Sequence, residues 1–353
     1  MPERARAAAR VRVFVALCVA CGLVAGVAVA GAAWRGPAAP VGAQRPAAGA
    51  GGGVAPDAGA LLSAGGVLLF RNLAPGPGYG SVAVVPLAEP DGPRAVTPLR
   101  CDRLHFAGGR GLCLASNLTP FWAPPSAFAF DAAFARGAGF SLGELPSRAR
   151  VAADGRHAGM TVFVSGDSYA GPDFSTRTTL VDLLTGSVLG DLEEFTVTRG
   201  GAPFRAADFN FWGVTFAADG NRFYATLGTG GRTYLVEGDL AARRMRVLRE
   251  GVECPSLSPD GSRLVFKKRV AAGAWRLHAL DLATLADRPL PETRSIDDQA
   301  EWLDDGHVLY GIVERSSSGN ATSSGIWVSS VDDGEPPRLL VPQAASPAVV
   351  RPG

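Results

Sequence analysis

Cys254-Pro255-Ser256-Leu257-Ser258-Pro259-Asp260-Gly261-Ser262-Arg263-Leu264-Val265-Phe266 decides the architecture of the chain. It reads as a short strand, an Asp-Gly turn and a second strand. Asp-Gly between apolar runs is a strong hairpin signal, because glycine accepts the positive φ that a tight turn imposes. The same arrangement returns in Val214-Thr215-Phe216-Ala217-Ala218-Asp219-Gly220, ahead of Phe223-Tyr224, and in Val151-Ala152-Ala153-Asp154-Gly155, ahead of Thr161-Val162-Phe163-Val164. Ala300-Glu301-Trp302-Leu303-Asp304-Asp305-Gly306 before Val308-Leu309-Tyr310 is another copy, and Leu104-His105-Phe106-Ala107-Gly108-Gly109 before Gly111-Leu112-Cys113-Leu114 a looser one.

The turn glycines stand at 109, 155, 220, 261 and 306, at intervals of 46, 65, 41 and 45 residues. A repeat of roughly 40–50 residues is the period of a four-stranded propeller blade. Third strands follow the hairpins in Thr179-Leu180-Val181-Asp182-Leu183, Tyr234-Leu235-Val236 and Trp275-Arg276-Leu277, and fourth strands in segments such as Arg246-Val247-Leu248. The long interval is read as a loop insertion around Glu193 to Ala207. Five turn glycines define five blades. Val67-Leu68-Leu69-Phe70, Ser81-Val82-Ala83-Val84-Val85-Pro86-Leu87 and Arg94-Ala95-Val96-Thr97 supply three strands of a sixth. Its missing inner strand is expected in Ser346-Pro347-Ala348-Val349-Val350, so strands from both chain ends would close the ring and remove its open edges. The expected fold class is therefore all-β: a six-bladed β-propeller over residues 66–353, preceded by one N-terminal transmembrane helix and a disordered linker.

These repeats resemble those of TolB-like six-bladed β-propellers, which carry a similar Ser-Pro-Asp-Gly turn between the first two strands of a blade. Cys254 to Phe266 matches best, and the weaker copies extend the resemblance over roughly Gly66 to Gly353. The resemblance implies architecture more than activity, because that family includes scaffold proteins, translocation-associated factors and regulatory propellers attached to peptidases. No peptidase segment is expected after the repeats.

Arg4, Arg6, Arg10 and Arg12 precede an uncharged run of 22 residues, Val13 to Trp34. At about 1.5 Å per residue this run can cross a hydrocarbon core of roughly 30 Å. The cationic flank, residues 1–12, stays in the cytoplasm, so the rest of the chain is exported. The segment 13–34 is read as a signal-anchor in the cytoplasmic membrane; a cleavable signal ending at Ala28-Val29-Ala30 is the rival, and lipidation of Cys21 a weaker one. Residues 35–65 are mostly Ala, Gly and Pro and read as a disordered linker, because they cannot bury enough apolar area to offset the entropy of ordering.

Lys+Arg 34 against Asp+Glu 33 leaves a net charge of +1, which supplies no field for nucleic acid. Gly 45 and Pro 26 make about a fifth of the 353 residues, consistent with many turns. No catalytic site is expected. Gly166-Asp167-Ser168-Tyr169 resembles an esterase block, yet His105, His157, His278 and His307 stand in no partner motif for a serine nucleophile. No metal or cofactor site is expected: histidine spacing is wrong for zinc, and Asp297-Asp298 and Asp304-Asp305 read as turn and cap residues rather than a calcium loop. Cys101 and Cys113 fall on the first two strands of one blade in a compartment that permits a disulfide, but a turn at Gly108-Gly109 sets Cys113 nearer Leu104 than Cys101, so the bridge stays open. Cys254 reads as a packing residue. Among Phe121, Trp122, Phe209, Phe211 and Trp212, the pair Phe211 and Trp212 is the candidate ligand contact, placed in a loop at one mouth of the central channel. The expected function is a membrane-tethered, extracytoplasmic, non-enzymatic scaffold for a protein, peptide or cell-envelope ligand. A propeller enzyme, a hydrolase or lyase with its site in the channel, is the alternative; His, Asp, Glu or Arg clustered on successive inner strands would favour it.

Overall fold

The computed structural model describes residues 57–116, 124–164, 175–315, 321–332 and 334–351. Its folded unit forms six sheets. Blade 1 contains β1 (Val67–Asn72), β2 (Ser81–Pro86) and β3 (Ala95–Arg100). Blade 2 is β4 (Arg103–Ala107), β5 (Arg110–Ala115), β6 (Ser126–Asp131) and β7 (Arg136–Ser141). Blade 3 is β8 (Leu145–Val151), β9 (His157–Phe163), β10 (Thr176–Asp182) and β11 (Ser187–Asp191). Blade 4 adds a hairpin, β12 (Thr196–Arg199) and β13 (Ala202–Phe204), to β14 (Asn210–Phe216), β15 (Arg222–Thr229), β16 (Arg232–Asp239) and β17 (Arg244–Glu250). Blade 5 is β18 (Glu253–Leu257), β19 (Arg263–Ala271), β20 (Ala274–Asp281) and β21 (Asp287–Pro289). Blade 6 is β22 (Glu301–Trp302), β23 (His307–Arg315), β24 (Ala321–Ser330) and β25 (Arg338–Pro342). The last strand, β26 (Ala344–Val350), returns to blade 1 as its innermost member, in the order β26-β1-β2-β3. Val350 pairs with Val67 and Ala344 with Asn72, so the two ends of the fold close the ring as the sequence suggests.

Period-two alternation explains how the blades stack. Leu68 and Phe70 of β1 pack toward Leu309 and Ile326 of blade 6, whereas Val67 and Leu69 pack toward Leu104 and Phe106 of blade 2. Each of the six blade interfaces holds its own buried apolar cluster. Unbroken apolar runs such as Val67 to Phe70 are the result, since both faces of a central strand are covered.

Within the repeated turns Asp is the organising residue. The Asp154 side chain accepts the amides of Arg156 and His157, and that of Asp219 the amides of Asn221 and Arg222. These are Asx turns, in which a short carboxylate takes over bonds that a backbone carbonyl would otherwise make. Gly155 has φ 63°, and a Cβ there would lie 2.1 Å from the Gly108 carbonyl oxygen, so the turns of blades 2 and 3 touch where only glycine fits. Gly306 departs from the pattern and keeps a negative φ.

Two expectations are corrected. The insertion between blades 3 and 4 is not an irregular loop: after a 3-10 turn at Leu192–Glu194 it forms the β12–β13 hairpin, and β12 runs parallel to β17. Its outermost strand carries Pro203, which has no amide to offer and so blunts the exposed edge. The end of the stretch read as linker, residues 35–65, is also ordered. Helix α1 (Ala58–Ala64) is capped by the Asp57 carboxylate, which accepts the Gly59 amide at 2.9 Å, and it buries Leu62 between blades 1 and 2. The segment 13–34 and the linker up to residue 56 lie outside the described residues; among those described, no helix is long and apolar enough to cross a membrane.

Candidate functional site

The five inner-strand positions just ahead of the repeated turns carry His105, Arg150, Thr215, Ser256 and Glu301, and all five line one cavity of about 290 Å³ at the turn-side mouth of the channel. The inner strands thus bring His, Arg and Glu together in the channel. Arg150 and Glu301, 9% and 7% exposed, form a direct ion pair. The His105 Nε2 lies 3.3 Å from the same Glu301 oxygen, while its Nδ1 accepts the Val151 amide at 3.1 Å. Accepting an amide at Nδ1 places the ring proton on Nε2, so the tautomer follows from the backbone. The other Glu301 oxygen accepts the amide of Val349 on the closing strand at 3.2 Å. Arg150 also donates to the Ala300 carbonyl at 3.0 Å and to the Ser256 hydroxyl at 3.5 Å.

Burial alone would raise the Glu301 carboxyl, but the Arg150 charge and the His105 contact outweigh it and hold it at about 2. Burial is the chief cause pushing His105 below its ordinary value; Glu301 opposes this and Arg150 adds to it, so the ring stays neutral. Both His105 nitrogens and both Glu301 oxygens are already engaged by the protein. These bonds make the trio a polar clasp joining blades 1, 2, 3 and 6.

The remaining sequence candidates fall elsewhere. Phe211 and Trp212, expected as ligand contacts in a channel-mouth loop, belong to β14 itself and are 0% and 2% exposed. Alternation sends Phe211 into the cluster shared with blade 3 and Trp212 against Cys254 and Trp275, so neither ring is available to a soluble ligand. Phe209 packs on the blade 4 core; Phe121, Trp122 and the Gly166-Asp167-Ser168-Tyr169 block lie outside the described residues. His157 and His307 each contact the turn aspartate three residues earlier, and His278 meets Asp287 at 2.7 Å on blade 5. Asp297 pairs with the buried Lys267 at 2.6 Å, and Asp298 accepts the Gly311 amide at 2.9 Å. Asp304 accepts the Gly306 amide at 2.8 Å, a turn role, and Asp305 that of Asp260 at 3.2 Å.

Cys101 and Cys113 are joined as a disulfide with Cα atoms 5.4 Å apart. Cys113 does pair with Leu104 in the hairpin register, but Cys101 sits on the connector just before β4 rather than on a strand, and there it reaches Cys113. Cys254 is buried and free. The bridge closes a short loop, with a sequence separation of 12, for which chain entropy gives about 3 kcal/mol. The Cys101→Ser/Cys113→Ser variant should melt several degrees lower than the oxidised protein; equal melting curves with and without reductant would contradict the stabilising bridge.

No family model and no curated protein matches the sequence. Solved structures do match the fold. The TolB of Acinetobacter baumannii is similar at TM-score 0.57 and 16% identity over 80% of this chain, which spans 66% of that TolB, just under two thirds. A chain of the nidogen/laminin complex is similar at TM-score 0.50 and 12% identity, with 80% of this chain and 97% of that one covered. A puromycin-hydrolyzing peptidase of Mycobacterium tuberculosis is similar at TM-score 0.46 and 14% identity, with 80% and 44% covered. Six sheets, five of four strands and one of six, closed by a C-terminal inner strand, together with the TolB likeness, give this chain the fold of a TolB-like six-bladed β-propeller.

Proposed function

We propose that the protein is a binding scaffold tethered to the cytoplasmic membrane through residues 13–34, with its propeller on the extracytoplasmic side, engaging a protein, peptide or cell-envelope ligand. One observation carries the choice of binding over catalysis: both His105 nitrogens and both Glu301 oxygens are engaged by the protein's own groups, while the cavity above them stays open. A catalytic site needs a nucleophile or base whose reactive atom faces the substrate. The enzyme reading keeps one argument of its own, that His105, Arg150 and Glu301 come together from the inner strands of separate blades.

Cross-linking the intact protein in membranes of its own cells, followed by identification of the captured partners, tests the reading. The expected result is a defined partner and no turnover against a panel of peptide, ester and glycan substrates; turnover abolished by His105→Ala with folding intact would replace it with the enzyme reading. Protease added to intact spheroplasts should digest the propeller, and complete protection would refute the extracytoplasmic placement.

A further inference from the structure

The turn-side cavity does not stop at the channel. Blade 4, widened by its extra hairpin, presents two cross-strand rows on the face turned toward blade 5. One is Arg222, Asp239, Arg244 and Thr196; the other is Tyr224, Glu237, Arg246 and Thr198. Near the channel this face is covered, with Tyr224 and Leu235 packed against Leu264 and Phe266. Farther out it forms an open trough of about 720 Å³. Arg222 lines both the trough and the channel-mouth cavity, so the two adjoin at this residue.

The charges along this path are unevenly matched. Arg222 is exposed and forms no ion pair among the described residues; its cross-strand neighbour Asp239 is matched with Arg244 at 3.7 Å. Arg351, also exposed, donates to the Trp302 carbonyl at 2.6 Å and forms no ion pair among the described residues. Arg246 pairs with Glu237 but is 64% exposed, and Arg244 is 70% exposed. Of the carboxylates, Asp260 is tied to Ser258 and Ser262 within its own turn, and Glu301 to Arg150. Arginine forks at these positions fit carboxylates in a bidentate manner. The aromatic rings along the cavity, Phe106, Phe216 and Trp302, are all buried, so no exposed ring offers a stacking platform for a sugar or a base.

We infer that the channel mouth and the blade 4 trough form one continuous groove for an extended acidic peptide, with Arg351 and Arg222 holding carboxylates at the mouth and Arg244 and Arg246 those along the trough. This rests on the scaffold reading and gives its ligand a chemistry. The hairpin β12–β13 then has a purpose: Thr196 and Thr198 build the outer floor of the groove.

The test uses the full chain in detergent micelles and a fluorescein-labelled decaglutamate peptide, followed by anisotropy at low ionic strength. Binding should weaken with added salt. Arg222→Glu, at an exposed side chain that forms no ion pair among the described residues, should keep the parental melting temperature and lose at least about tenfold in affinity, and Glu237→Gln, which releases Arg246, should bind more tightly. Equal affinity of Arg222→Glu and the parent, no binding by the parent, or preference for an anionic polysaccharide such as alginate over the peptide each overturns the groove. Cross-linked capture of a cellular partner that persists in Arg222→Glu would overturn it while leaving the scaffold reading standing.

Discussion

A chain ending at Gln343 should not form a stable propeller. Removing residues 344–353 deletes β26, and with it the buried Ala344, Ala348 and Val349. The same cut removes the Val349 amide from Glu301 and uncovers the whole inner edge of β1, including Leu68 and Leu69, both 0% exposed. A β1 edge without its partner also becomes a template for pairing with other chains. Losing the innermost strand of one blade, and with it the closure of the ring, is comparable with the whole stability of a domain, about 5–15 kcal/mol. The expected outcome is a chain that is largely unfolded or aggregated at 25 °C, as read by circular dichroism and size exclusion. A cooperative melt at the full-length temperature would show that the ring does not depend on this closure.

The second large effect is expected at Glu301. Glu301→Ala leaves Arg150 buried without its counter-charge, a change that typically costs about 3–5 kcal/mol because the desolvated guanidinium has nothing to offset it. The melting temperature should fall by roughly 10 °C. Replacing both members, Arg150→Met with Glu301→Leu, removes the unpaired charge and should recover much of the loss; two losses that simply add would refute coupling in the clasp. The acid limb follows from the same group. The Glu301 carboxyl lies at about 2 in the fold against an ordinary 4.5, so its contribution, about 3 kcal/mol, is fully present above pH 4.5 and is lost as pH falls toward 2. The Glu301→Ala protein should therefore show a flatter decline in stability over that interval.

The architecture was legible because it is written locally and repeatedly. Each Asp-Gly turn joins strands only a few residues apart, and the alternation of Leu68 with Leu69 already announces two covered faces. The closing strand was legible by subtraction, since blade 1 was one strand short. The central clasp was not, because His105, Arg150 and Glu301 are far apart in sequence and each looks unremarkable within its own hairpin. A signal did exist: Arg150, Thr215, Ser256 and Glu301 each stand five residues before their turn glycine, and His105 four before its own. Reading that column down the repeats, rather than along the chain, puts them around one axis. Phe211 and Trp212 misled for the opposite reason. A dense aromatic run invites a binding role, yet on a strand covered on both sides alternation buries every ring.

The pairing of Val67 with Val350 also fixes how the molecule meets mechanical load. Those partners sit at the two ends of the folded unit, so tension applied between the ends acts on a single point of the β1–β26 ladder. The ladder would open like a zip, pair by pair from Val67 toward Asn72, instead of resisting in shear with all its bonds at once. A propeller held and pulled this way yields first at its own seam, and α1, packed against blades 1 and 2 through Leu62, is the catch that must release before the seam feels the pull.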